Sequence, residues 1–234
     1  MRSTAYHQRL LDLIPPSFRA FVAARTGSHR SFVGPPERFD TAAASQFNLL
    51  TLLGLRAHHH VLDVGCGALR AGRLLIVYLE PDRYCGIEPQ RWLVESAIRA
   101  EIGDSLVRIK RPLFDHNDGF RLGVFARSFD FIVASSIFSH ASARQIDECL
   151  RAARPVMTEQ SVFVASFVAG ESSYAGDDWV YPGTVTYRLE RLQELAGAHG
   201  LACEPLGWPY VYGANTQTWV AFSRAAGDAA SGER

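Results

Sequence analysis

The stretch Val61-Leu62-Asp63-Val64-Gly65-Cys66-Gly67 decides the fold class. Four residues of strand character run into two closely spaced glycines, and a helical stretch, Arg70 to Glu80, follows at once. The same alternation continues outward. Apolar runs at Tyr84–Ile87, Phe129–Ala134 and Ser161–Val168 alternate with helical patterns at Trp92–Ile102, Ala143–Ala153 and Arg188–His199. A further run near Pro112–Asp115 is poorly defined. Apolar runs without polar alternation, separated by helices, predict an α/β domain whose mostly parallel sheet is covered on both faces. Two last runs, near Leu201–Leu206 and Thr216–Phe222, have no helix between them and predict an antiparallel pair at one edge.

Residues 1–55 read differently and form an N-terminal helical segment, expected to act as a lid. Tyr6, Leu10, Leu11 and Ile14 recur at helical spacing, and a short second stretch covers 16–26. Ser28 to Arg38 carries Gly34, Pro35 and Pro36 and reads as a loop. Asp40 is the expected N-cap of a helix through Phe47, Leu50 and Leu53, stopped by Gly54. The domain proper spans 56–224, and 225–234 reads as a frayed tail.

Ligands of parallel α/β sheets bind at the carboxyl ends of the strands, where glycines admit backbone N–H groups close to them. Three features define the ligand expected here. Asp63 lies two residues before Gly65, where a carboxylate suits a cationic ligand and not a pyrophosphate. The next glycine after Gly67 is Gly72, so the G-x-G-x-x-G dinucleotide fingerprint fails. The second apolar run ends in Glu88, 23 residues after Gly65, and an acid at that place can accept both hydroxyls of a ribose.

With VLDVGCG (61–67), YCGIEP (84–89) and FDFIVASSIFSH (129–140), the chain resembles the class I S-adenosylmethionine-dependent methyltransferases. GCGALRAGRLL and GIEPQRWLVE bring it near a bacterial group acting on small molecules. The resemblance covers about 46–222 and implies a Rossmann-like, doubly wound sheet of seven strands with an antiparallel edge strand. It implies S-adenosylmethionine as cofactor, S-adenosylhomocysteine as product, and no metal. In the Gly65-Cys66-Gly67 loop the two glycines would flank the methionine part, with Asp63 near its amino group. Glu88 would bind the ribose and Pro89 would lie beside the adenine. Asn117 and Asp118 are the candidates for contacting adenine, and Ser135 marks where cofactor and acceptor meet. One departure is the absence of Pro-Gly-Gly before the fifth strand, where 155–160 predict a different turn.

Methyl transfer from a sulfonium needs positioning first, and a general base only where the acceptor must lose a proton. His140 is the candidate base, since it follows the fourth strand and histidine titrates near neutrality. The competing reading is that it caps or packs the next helix. Ser136 and Ser139 are candidates for orienting an acceptor hydroxyl. Two aromatic loops, 174–183 with Trp179 and Tyr181 and 207–215 with Trp208 and Tyr210, are expected to wall the acceptor pocket. His58-His59-His60 precedes the first strand, on the opposite edge, and reads as a solvated loop.

Composition narrows the classes. Among 234 residues, Lys+Arg and Asp+Glu are both 24, so bulk electrostatics favour no nucleic-acid or membrane partner. Cys66, Cys85, Cys149 and Cys203 are widely spaced and predict neither a disulfide framework nor a zinc site. Arg9, Asp12 and Pro15-Pro16 interrupt the first residues, so a cytoplasmic protein is expected. The leading reading is a methyltransferase of a small metabolite, with oxygen or nitrogen as acceptor. The alternatives are a nicotinamide-dependent oxidoreductase and a non-catalytic cofactor-binding subunit.

Overall fold

A computed structural model describes residues 29–210 and 217–225. The expectations for 6–26 and 226–234, and for the end of the second aromatic loop, lie outside the described residues.

The described residues hold eight strands: β1 (Val61–Val64), β2 (Tyr84–Ile87), β3 (Leu113–Asp115), β4 (Phe129–Ala134), β5 (Met157–Ala169), β6 (Thr186–Tyr187), β7 (Leu201–Leu206) and β8 (Thr218–Arg224). The main order is β3-β2-β1-β4-β5-β8-β7, and β6 pairs separately with β5. The first five strands are mutually parallel. β8 runs antiparallel to both β5 and β7, so the expected antiparallel pair closes this side of the sheet. β1 and β2 are buried at all four positions, which explains sequences that are apolar but for Asp63. The order reverses direction between β1 and β4, and the carboxyl ends of β1, β2 and β4 meet at that switch point.

Helices cover both faces: α1 (His29–Phe32), α2 (Phe39–Leu52), α3 (Gly72–Tyr78), α4 (Arg91–Ala97), α5 (Gly103–Lys110), α6 (Ala143–Ala153) and α7 (Leu189–Gly197). One core packs Leu62, Ile132, Phe163 and Phe222 against Phe138, Ile146 and Leu192. The other packs Val61, Phe131, Val164 and Trp219 against Leu50, Leu75 and Val94. α6 begins with a reciprocal capping box between Ser142 and Gln145.

Several boundaries differ from expectation. Part of the 28–38 segment is helical, with α1 and a 3-10 turn at Pro36–Arg38. Arg38, not Asp40, occupies the N-cap of α2, and no side chain caps it. Asp40 lies in the first turn, where it receives Arg73 Nη2 at 2.5 Å. The expected helix over 70–80 is shorter, because Ala68–Ala71 turn before α3 begins. After α4 the chain passes through a π-helical turn, Ile98–Ile102, into α5, which the sequence pattern did not anticipate. The different turn expected over 155–160 is a 3-10 turn at Arg154–Val156 that ends sooner, since β5 starts at Met157 and bulges against β4, and Ser161 Oγ donates to Phe129 O at 2.6 Å.

Candidate active site

Residues 65–67 form the corner after β1. Gly65 has φ +69° and Gly67 has φ +53°, a left-handed backbone that favours glycine. A side chain at Gly65 would collide with Ile137 Cδ1, and one at Gly67 would meet Val33 Cγ1 at 2.8 Å. The glycines therefore let two neighbouring segments close on the loop. Cys66 between them is buried, and burial pushes its thiol well above its ordinary value, so the thiol is protonated.

Two carboxylates flank this corner. Asp63, in β1, is 6% exposed, and its Oδ2 accepts a hydrogen bond from the Tyr84 hydroxyl at 2.8 Å. Burial raises its pKa to about 6 against the counter-pull of Tyr84 and Arg70. Glu88, just past β2, is 9% exposed. Its Oε2 accepts from Gly67 N at 3.1 Å and its Oε1 from Gln90 N at 2.9 Å. Burial raises its pKa while these two amides and His116 resist the shift. Each oxygen keeps a further lone pair. Pro89 beside it is exposed.

Asn117 and Asp118 follow β3. Asn117 is buried and braces its own turn: its amide donates to Asp115 Oδ1 at 2.5 Å, and its Oδ1 accepts from Arg121 N at 2.9 Å. Asp118 is exposed. The turn explains why Asn occurs here, and leaves Asp118 the freer of the two for a ligand.

Beyond β4, Ser135 Oγ accepts from Gln46 Nε2 at 2.7 Å and from Arg70 Nη2 at 3.5 Å. Arg70 Nη1 also donates to Val33 O at 2.9 Å, tying the segment after α1 to the site. Ser136 has φ +60°, an uncommon conformation for a side chain. Its amide donates to Ser166 Oγ at 2.8 Å, and its hydroxyl lies 2.5 Å from the Tyr210 hydroxyl and 3.2 Å from Gln217 Nε2. Ser139 differs from expectation: it is fully buried, with no partner for its hydroxyl among the described residues, so it lines no open pocket there.

His140 joins β4 to the first aromatic loop. Its Nδ1 lies 2.7 Å from Gly183 O and 3.1 Å from Val180 O, so Nδ1 carries the proton and donates it. That leaves Nε2 as the acceptor. Burial lowers the pKa of His140, which is therefore neutral at pH 7. Trp179 and Tyr181, each about two-fifths exposed, flank the imidazole with centroids at 5.7 and 5.1 Å. The Tyr181 hydroxyl donates to Phe32 O, connecting this loop to α1. In the second loop Trp208 is turned toward α2, donating to Ser45 Oγ at 3.0 Å, while Tyr210 reaches Ser136.

The segment around α1 is fastened at Glu101. This carboxylate, its side chain 4% exposed, accepts from His29 Nε2 at 2.7 Å and from Arg30 Nε at 2.6 Å. Arg73 approaches at 3.6 Å. Gln46, Arg70, Tyr84 and Glu101 contact the candidate site or its neighbouring segments and were not among the residues expected from the sequence. The histidine tract lies at the opposite edge as expected, but His60 is half-buried and bonds Arg83 at 2.8 Å. Among the described residues, no group of His, Cys, Asp and Glu is arranged to hold a metal, and no helix is long and apolar enough to cross a membrane.

The methyltransferase domain family matches residues 62–163, from β1 into β5. No curated protein matches the sequence. Many solved structures share the fold. Magnesium protoporphyrin IX methyltransferase from Synechocystis, with bound SAH, is 13% identical with a TM-score of 0.63, covering 89% of this chain and 99% of its own. The CcbJ methyltransferase from Streptomyces caelestis is 15% identical with a TM-score of 0.58, covering 83% and 92%. The glycopeptide N-methyltransferase MtfA, complexed with S-adenosylmethionine, is 13% identical with a TM-score of 0.58, covering 78% and 94%. The matched segment holds the glycine corner, both flanking carboxylates and His140, and over it the chain is similar to the methyltransferase domain family, while the solved structures share its fold.

Proposed function

We propose that this protein transfers the methyl group of S-adenosylmethionine to an oxygen or nitrogen of a small metabolite in the cytoplasm. The observation that carries the reading is the pair of buried carboxylates, Asp63 and Glu88, on either side of a left-handed glycine corner. A ligand with an ammonium group and a ribose matches that pair. Asp63 faces the ammonium, and its ionised form is stabilised by the cation. Glu88, already oriented by Gly67 and Gln90, accepts from the ribose hydroxyls through its remaining lone pairs. Pro89 and Asp118 border the adenine, and Ser135 borders the sulfonium.

The cofactor supplies an activated methyl group, so the protein's task is alignment and removal of the acceptor proton. His140 Nε2 takes that proton. The Gly183 and Val180 carbonyls fix its tautomer, and burial keeps the ring neutral. Trp179 and Tyr181 provide flat apolar walls beside it, with Ser136 and Tyr210 as polar groups. Magnesium protoporphyrin IX, which names one similar structure, and the glycopeptide that names another, are both non-macromolecular acceptors. Zero net charge fits the same class better than a polynucleotide. The segment around α1, fastened at Glu101 and hooked to Tyr181, serves as the lid.

The test is calorimetric titration with S-adenosylhomocysteine and with NADH, followed by labelled methyl transfer onto a panel of hydroxyl and amine metabolites. Micromolar binding of the first alone, with label on a small acceptor, is expected. Absence of S-adenosylhomocysteine binding at millimolar ligand, or transfer only to nucleic acid, overturns it.

A further inference from the structure

Among the described residues, Tyr84 is the single hydrogen-bonding partner of the Asp63 carboxylate, and it lies across the strand pair at the first position of β2. Its ring is held by Phe114 at 6.0 Å between centroids, and the residue is 2% exposed. The hydroxyl reaches Asp63 only because α3 begins with a glycine. A Cβ on Gly72 would stand 2.5 Å from the Tyr84 hydroxyl and 3.1 Å from Cζ. Gly72 has an ordinary helical backbone, so turn geometry does not explain it; the space for the phenol does. A buried phenol that needs a partner is thus aimed at one oxygen of a carboxylate beside the glycine corner.

We propose that Tyr84 is a positioning residue for cofactor binding: it fixes one oxygen of Asp63, presents the other to the cofactor's ammonium, and depends on Gly72 for its reach. This rests on the functional reading given above. The charged and titratable groups facing Asp63 are Tyr84 from β2, Cys66 and Arg70 from the loop after β1, and Glu88 past β2. Tyr84 donates to the ionised form, so it holds the carboxylate charged to lower pH than burial alone would allow. A Phe at this place keeps the ring and loses that effect.

The experiment is calorimetry of S-adenosylhomocysteine binding between pH 5 and 8 on the full chain, for wild type, Tyr84→Phe and Asp63→Asn. Wild type is expected to lose affinity below about pH 6, and Asp63→Asn to bind weakly with no acid limb. Tyr84→Phe is expected to bind within about twofold of wild type at pH 8. At pH 6 it binds about fivefold more weakly, because its acid limb moves up by roughly one pH unit. If the wild-type limb exists and Asp63→Asn abolishes it, while Tyr84→Phe keeps the wild-type midpoint, the inference about Tyr84 is wrong and the ammonium reading stands. If Asp63→Asn binds as wild type does, the ammonium reading itself is wrong. Tyr84→Phe is nearly isosteric; should it fail to fold, Gly72→Ala, which displaces the hydroxyl, must show the same shift in midpoint, and an unshifted midpoint refutes the proposal.

Discussion

Asp63→Asn is expected to make the fold more stable and the cofactor bind less tightly. In the folded protein burial raises the Asp63 pKa from 3.8 to about 6. That difference corresponds to about 3 kcal/mol, the cost of keeping the carboxylate ionised inside the domain. The sign follows from the raised value. Below about pH 4 the group is protonated in both folded and unfolded chains and costs nothing. Between about 4 and 6 the unfolded chain ionises first and stability falls, and above 6 the full cost is present. Asparagine removes it, but its buried amide N–H groups need acceptors, which returns about 1 kcal/mol. The expected gain is about 2 kcal/mol at pH 7.5, turning into a loss of about 0.5 kcal/mol at pH 4, measured by urea unfolding at the two pH values. A variant less stable than wild type at pH 7.5, or a difference independent of pH, refutes the reasoning.

Replacing Glu88 with Ala removes the acceptor proposed for the ribose and is expected to weaken S-adenosylhomocysteine binding by about 1.5–3 kcal/mol in calorimetry. His140→Ala is expected to lower turnover by about 10²-fold or more while cofactor affinity stays within twofold. In wild type, methyl transfer is expected to fall only below the ordinary histidine range, since burial lowers the His140 pKa; a fall centred above pH 7 in single-turnover assays counts against His140 as base. Gly65→Ala places a Cβ against Ile137 in a left-handed backbone and is expected to cost at least 1 kcal/mol, roughly, in unfolding experiments. Glu101→Gln is expected to speed amide exchange across 30–38 by about tenfold without altering exchange in β1 or β4.

What could be read beforehand depended on how local the cause was. β1, β2 and β4 announce themselves because strands buried on both faces need nearly continuous apolar sequence. Asp63 and Glu88 were visible because their positions at strand ends follow from those same runs. α5 was missed because it opens at Gly103, at φ +75°, and none of its residues is buried, so no apolar stripe marks it. β6 has two residues, too few for any periodicity. Gln46 meets Ser135 across 89 residues, and Tyr84 meets Asp63 across 21. Such pairings arise from strand order and side-chain reach, which no local pattern encodes. Ser139 was misplaced for a related reason: it lies in the turn after β4, where burial follows from tertiary packing and no periodicity reports it.

The hook between Tyr181 and the Phe32 carbonyl joins two segments 149 residues apart in the chain. One belongs to the roof over the glycine corner, the other to the wall beside His140. Outward movement of either segment requires this hydrogen bond to break, at a net cost of about 1 kcal/mol, or carries the other with it. Under the function proposed above, exchange of spent nucleoside and departure of methylated product are expected to be coupled through this bond, and pre-steady-state kinetics with two independent exits count against that reading.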